Sequence, residues 1–333
     1  MAAPSRLRLV HAPTPLARYP RLAERLAVDL WVKRDDASAG VEAGNKIRKL
    51  EYLVADAREK GADTLVTCGA LQSNHCRATV AIAARLGLAS VVFLRTRDVA
   101  APIPRAGNAM LMKMMGADMH LITPADYAKR TELMEAAAET LRRAGKRPYV
   151  IPEGGSNGLG ALGYVQAMRE LRAQLDAGLA GGRKFDAIVH ACGSGGTAAG
   201  AALGASTHDV ADEVIAVAVC DDRGYFERVA QRIMAEARAL EPKLGAEAKL
   251  TIDDRWKGPA YGVASDEQRR FVVDVAREHG LVLDPVYTGK ALFGLARSIA
   301  DDRRLTGKRV LFLHTGGLPG LLAEGDAFAT ELG

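Results

Sequence analysis

The stretch "AIVHACGSGGTAAGAALGAS", Ala187 to Ser206, sets the architecture. Its apolar, β-branched start predicts a strand. Glycines at 193, 195 and 196 predict a tight turn, and the small residues that follow predict a helix. In such a unit successive backbone N–H groups and the helix N-terminus converge on one point, where the helix dipole favours negative charge. Ser194 and Thr197 add hydroxyls, so the segment reads as a phosphate cup. The same residues also fit Gly-x-Gly-x-x-Ala, Gly193 to Ala198, with Asp221 placed for a ribose hydroxyl. A dinucleotide site is therefore the rival reading. No Gly-Lys-Ser/Thr follows, which excludes a Walker A loop.

Working outward, the same alternation recurs. "LWVK", "TLVTCG", "SVVFLR", "DMHLI", "PYVI", "EVIAVAVC" and "RVLFLH" predict strands, with helical runs between most of them. The run 125–145, "ADYAKRTELMEAAAETLRRAG", predicts one long helix, and "LVLD" reads as a strand ending just before Tyr287. Glycine-bounded strands alternating with helices imply an α/β protein with parallel sheets covered on both faces. The glycine-rich loop near Glu153–Gly160 is a natural crossing between two lobes, for which 333 residues are ample.

Composition excludes several classes of function. Net charge is +5, but the cations are interleaved with acids, and no basic stripe with aromatics points to nucleic acid. No run approaches the ~20 apolar residues that span a bilayer, and the N-terminus lacks a signal-peptide core. Cys68, Cys76, Cys192 and Cys220 show neither metal-site nor disulfide spacing, so they read as buried free thiols of a cytoplasmic protein.

Polar residues gather at the expected strand ends. "GALQSNHCRA" places Gln72, Ser73, Asn74 and His75 at a strand–helix junction, with Ser73 also a plausible N-cap. Tyr287 and Thr288 in "LDPVYTGK", and Thr315 in "HTGG", stand at two more such ends. In an open parallel sheet that edge is where ligands bind. Lys46, in "GNKIRKLE", opens a helix. A lysine there is ordinarily surface charge, but one buried beside a phosphate cup would suit an aldehyde cofactor, because burial makes its amine nucleophilic.

"PTPL", "VKRDD", "GNKIRKLEYL", "QSNHCRAT", "PYVIPEGGSNGLGALGY", "ACGSGGT", "LDPVYTGKA" and "HTGG" occur in this order over nearly the whole chain. Together they resemble pyridoxal 5′-phosphate enzymes of the tryptophan-synthase-β fold (fold type II). More narrowly, they resemble the family of D-cysteine desulfhydrase and 1-aminocyclopropane-1-carboxylate deaminase. The resemblance implies two open twisted parallel sheets flanked by helices. The large cofactor-binding domain would comprise residues 1–45 and 157–333, the small domain residues 46–156. It implies Lys46 as the Schiff-base lysine and Lys49 as a phosphate contact. Gly193, Ser194, Gly195, Gly196 and Thr197 would form the phosphate cup. Asn74 would meet the phenolic oxygen of the cofactor and Thr315 its pyridine nitrogen. Ser73 would face the substrate carboxylate, with Asn74, His75 and Thr288 as further substrate contacts. Tyr287 and Tyr261 would act over the reacting carbon.

Thr288 and Thr315, where the deaminase usually has glutamate and leucine, match the desulfhydrase pattern, as does His75. "VCDDRGYFERV" resembles the plant-like branch. Ala43 departs from the second glycine that many members carry before Gly44. The implied activity is elimination of hydrogen sulfide from D-cysteine. The alternatives are deamination of 1-aminocyclopropane-1-carboxylate and sulfo-lysis of L-cysteate. The implied partner is a small amino acid, with no metal, nucleic acid or membrane involved, and the implied assembly is a homodimer.

Overall fold

The computed structural model describes residues 4–333. Among the described residues ten strands form two sheets. The larger contains β1 (Leu16–Arg18), β2 (Asp29–Arg34), β7 (Phe185–Cys192), β8 (Ala211–Ala218), β9 (Lys249–Asp253) and β10 (Arg309–His314), in the spatial order β1-β2-β10-β7-β8-β9. The smaller contains β3 (Thr64–Ala70), β4 (Ala89–Arg95), β5 (Asp118–Ile122) and β6 (Pro148–Val150), in the order β5-β4-β3-β6. Every pairing is parallel except β1 with β2, so the α/β reading holds, with one antiparallel edge added.

Strands β7, β8 and β10 are buried along almost their whole length, as parallel strands covered on both faces must be. Leu171, Phe185, Leu203, Val214, Ile233 and Leu311 pack on one face of the large sheet. Leu30, Val32, Val189, Val217, Leu292 and Phe312 pack on the other. The small sheet has its own apolar layers, one around Ile47, Leu50, Leu65 and Ile82, another around Val66, Phe93 and Met134.

Two expectations fail locally. The run 125–145 is two helices, Pro124–Ala128 and Arg130–Arg143, broken at Lys129. A capping box of Thr123 and Asp126 starts the first of them early. "LVLD" is no strand. His314 at the end of β10 contacts the carbonyl of Val282, and Asp284 caps the next helix, so this segment serves side chains rather than a ladder.

The helix Asn45–Glu59 lies between the two sheets. It packs so closely on the helix Gly158–Asp176 that a Cβ on Gly163 would stand 2.2 Å from the carbonyl oxygen of Arg48. On that side Arg48 is buried against two carboxylates. Its Nε and Nη2 donate to Asp35 at 2.9 and 2.7 Å, and its Nη1 donates to Glu170 at 3.0 Å. Tyr164 donates to Asp35 at 2.7 Å, and buried Lys33 pairs with Glu170 at 2.5 Å. Two buried cations thus face two carboxylates, which is the condition for burying charge.

Candidate active site

The lysine helix begins at a tight junction. Gly44 has φ +123°, and a Cβ there would lie 2.9 Å from the carbonyl oxygen of Thr315. That same carbonyl accepts from the Asn45 amide at 3.1 Å. The start of the helix is therefore docked on the end of β10. The left-handed backbone falls at Gly44 and not at Ala43, so the departure at Ala43 leaves the loop undisturbed.

One cleft is lined by Lys46, Asn74, Tyr287, Thr315 and the loop Gly193–Thr197. Residues from both sheets thus meet at strand carboxyl ends, as ligand sites of open α/β sheets do. Gly195 takes φ +78° and leads into the helix Gly196–Thr207, whose N-terminus faces this loop. Lys49, one turn after Lys46, is buried and donates to the Gly154 carbonyl and to Ser156 Oγ, both at 3.1 Å. Ser156 Oγ lies 2.8 Å from Ser194 Oγ, and a Cβ on Gly196 would come within 2.9 Å of Lys49 Nζ. An ammonium, two hydroxyls and a helix N-terminus thus converge on a space that any side chain at 196 would fill. Among the described residues no carboxylate pairs with Lys49, and burial pushes its pKa well below the ordinary lysine value. This donor set fits a phosphate. Lys46 likewise has no ion pair among the described residues. Burial lowers its amine to about 8, which leaves an appreciable neutral, nucleophilic fraction at neutral pH. The site therefore fits an anionic aldehyde cofactor at both ends.

Asn74 is oriented by Asn108, whose Nδ2 donates to Asn74 Oδ1 at 3.0 Å and leaves the Asn74 amide nitrogen as the free donor. Tyr287 and Tyr261 touch hydroxyl to hydroxyl at 2.5 Å. Burial keeps both protonated, Tyr261 at about 12 and Tyr287 well above the ordinary phenol value. Asp284 sets Tyr287 in place by accepting from the amides of Val286, Tyr287 and Thr288 at 3.0, 2.9 and 2.8 Å.

Two of the expected substrate contacts are engaged elsewhere. Thr288 is fully buried. Its hydroxyl donates to Asp284 at 2.6 Å and accepts from the Asp284 amide, so it closes the turn before its helix and is not turned to the cleft. His75 is also buried. Its Nε2 lies 2.8 Å from Thr67 Oγ1, and that hydroxyl donates to the Ile151 carbonyl, so the imidazole ties its helix to β3 while the hydroxyl ties β3 to the chain after β6. Ser73 Oγ accepts from the Cys76 amide at 3.2 Å as the N-cap of the helix Asn74–Arg85, next to Asn74, which leaves its own O–H without a partner among these contacts.

Sequence reading missed Asn45, Ser156 and Asn108. Asn45 joins the lysine helix to the phosphate loop, its Nδ2 donating to Thr197 Oγ1 at 3.1 Å. Ser156 lay inside the quoted motif "PEGGSNGLGALGY", so its position was visible although its partners were not. No sequence signal marks Asn108. Among the described residues no helix is long and apolar enough to cross a membrane.

Comparison with known proteins agrees with this geometry. The model of the pyridoxal-phosphate dependent enzyme family matches residues 7–316. The mitochondrial bifunctional D-cysteine desulfhydrase/1-aminocyclopropane-1-carboxylate deaminase of Arabidopsis thaliana is 41% identical over 330 residues, 98% of this chain and 81% of that protein. A putative 1-aminocyclopropane-1-carboxylate deaminase of Thermotoga maritima is 40% identical over 320 residues, 96% of this chain and 98% of that one. The crystal structure of an ACC deaminase homologue superposes with a TM-score of 0.89 at 36% identity, covering 98% of this chain and 96% of the other. The fold and these matches agree: the chain belongs to the pyridoxal-phosphate dependent enzymes, within the D-cysteine desulfhydrase and 1-aminocyclopropane-1-carboxylate deaminase family.

Proposed function

We propose that the protein is a lyase that eliminates hydrogen sulfide from D-cysteine, with pyruvate and ammonia as the final products. The observation that carries this reading is the placement of the Lys46 amine and the Tyr287 hydroxyl in one cleft with the Gly193–Thr197 loop. When bound, pyridoxal phosphate supplies an aldehyde that condenses with amines and a ring that draws electrons from the α-carbon. Lys46 would hold the cofactor and then take the α-proton, an exchange for which an amine near 8 is suited. Lys49, Ser156, Ser194 and the amides of the loop would hold the phosphate. Asn74 would donate to the phenolic oxygen, and Thr315 would meet the ring nitrogen without forcing a proton onto it. Ser73 accepts from its own helix, so its O–H remains free to donate to the substrate carboxylate. Tyr287, held protonated by burial and backed by Tyr261, would give its proton to sulfur as the C–S bond breaks and the electron pair leaves with sulfur. Water then hydrolyses the unsaturated amine product to the keto acid.

The names of the Arabidopsis and Thermotoga relatives support ring-opening deamination of 1-aminocyclopropane-1-carboxylate as a second reading. An assay of purified protein against D- and L-cysteine, L-cysteate and the cyclopropane acid, following keto acid and sulfide, decides between them. Pyruvate with equimolar sulfide from D-cysteine supports the proposal. 2-Oxobutyrate from the cyclopropane acid without sulfide chemistry replaces it.

The division into a large domain (1–45 and 157–333) and a small one (46–156) belongs to the same proposal. It is supported by the separate strand sets of the two sheets. A cytoplasmic location is supported by the free thiols. A homodimer is supported by exposed Met110 and Met114 on the helix Gly107–Met114 and by exposed Leu318 and Leu322 at the two ends of the short helix packed against it. Sedimentation at several concentrations tests the dimer.

A further inference from the structure

Arg95 ends β4 in the small sheet, yet its guanidinium reaches a residue of the other half. Its central carbon lies 4.7 Å from the centre of the Tyr127 ring and 5.0 Å from that of Tyr261, which belongs to the loop after β9. Among the described residues Arg95 has no carboxylate partner. Arg130, also over the Tyr127 ring, is paired with Glu153 at 2.8 Å, so the two arginines at this mouth differ in kind. The backbone of the Tyr261 loop has a separate anchor. Buried Lys290 donates to the carbonyls of Lys257 and Ala260 at 2.6 and 3.0 Å. That leaves the ring of Tyr261 to be fixed by what lies over its face and by the hydroxyl contact with Tyr287.

We propose that Arg95 is a positioning residue for the Tyr261–Tyr287 pair, its guanidinium clasping the Tyr261 ring from across the cleft. A cation over a phenol face is attracted by the ring quadrupole, and it makes the phenol a stronger hydrogen-bond donor. Tyr261 is thereby held against Tyr287 in one geometry, and only while the two halves of the molecule are close. The inference rests on the reading of Tyr287 as the proton donor.

The test uses the holoenzyme with Arg95→Met, Arg95→Lys, Tyr261→Phe and the double variant Arg95→Met/Tyr261→Phe. Arg95→Met lowers kcat by roughly tenfold with KM changed by less than about twofold, because the pair works on the reacting bond rather than on binding. Arg95→Lys restores most of that loss. Arg95→Met has no further effect in the Tyr261→Phe background, which is the sign of two residues acting as one unit. Crystals of Arg95→Met show the two hydroxyls beyond hydrogen-bond distance. Additive losses in the double variant, or an intact hydroxyl contact in Arg95→Met, overturn the proposal. If the wild-type enzyme eliminates from none of the amino acids assayed, the functional reading fails by itself. The hydroxyl separation in the variant crystals still decides the role of Arg95.

Discussion

A single helix, Asn45–Glu59, buries cations on two sides and treats them in opposite ways. On one side Arg48 is met by Asp35 and Glu170, with Lys33 and Tyr164 completing the network. On the other, Lys46 and Lys49 have no carboxylate partner among the described residues, and burial lowers both amines. The first arrangement is complete within the chain and fastens the helix to the large sheet. The second leaves positive charge and nucleophilicity turned toward a cleft. A buried cation matched inside the protein is scaffold, and one left unmatched is kept for a ligand.

The largest effect that probes this contrast is on catalysis. Lys46→Ala should reduce kcat/KM by at least about a thousandfold, since in the proposed reaction one residue supplies both attachment and base. Keto-acid release measures it, and residual turnover near wild type would remove Lys46 from the centre. Next comes Arg48→Met, which leaves two buried carboxylates with too little positive charge and should cost about 3–5 kcal/mol in urea unfolding. Lys46→Met should act in the opposite direction on the cofactor-free protein. The fall from the ordinary lysine value of 10.5 to about 8 corresponds to at most roughly 3 kcal/mol of burial cost at pH 7.

That cost also fixes a pH dependence. Between about 8 and 10.5 the unfolded chain holds the Lys46 proton and the folded one does not, so stability rises with pH across that window. Below about 8 the penalty is at its full value. Unfolding at pH 7, 9 and 10 should show the rise in wild type, and Lys46→Met should lose this contribution to it. On the other side of the helix the charged group stabilises the fold instead of opposing it. Asp35 is held below the ordinary carboxylate value by Arg48, so its contribution is present above pH 4 and disappears as the pH falls through the lowered value.

Lys49→Met should weaken cofactor affinity by about ten- to a hundredfold, the equivalent of one charge-assisted hydrogen bond. Titration of cofactor-free protein measures it, and unchanged affinity would return Lys49 to the scaffold. The smallest expected effect is that of Asn108→Ala. It frees Asn74 to rotate, should cost about 1 kcal/mol of stability, and should alter the visible absorption of the bound cofactor.

Much of this was legible in the sequence because it is local. The Gly193–Thr197 loop follows its strand directly, and the alternation of strand and helix gave parallel sheets, although β1 and β9 went unread. Lys46 and Lys49 were found through the family resemblance of "GNKIRKLE", since a lysine opening a helix is by itself ordinary surface charge. What was not legible depends on distant partners. Whether Thr288 faces a substrate or Asp284 is decided by how the chain turns after "LVLD", a segment whose apolar run imitates a strand. His75 sits in a polar cluster in sequence, yet it is turned inward by Thr67 on the neighbouring strand. The break at Lys129 defies a helical run because Tyr127 and Arg130 are both drawn to Glu153, a pull from outside the helix. Asn108 and Arg95 gain their roles only when β3, β4 and the Tyr261 loop are brought together.

Borohydride reduction of the holoenzyme, followed by peptide mass mapping, tests the central claim most directly. The account predicts one phosphopyridoxyl group per chain, on the side chain of Lys46. The same group found on Lys49 or Lys290, or no covalent adduct at all, would contradict it.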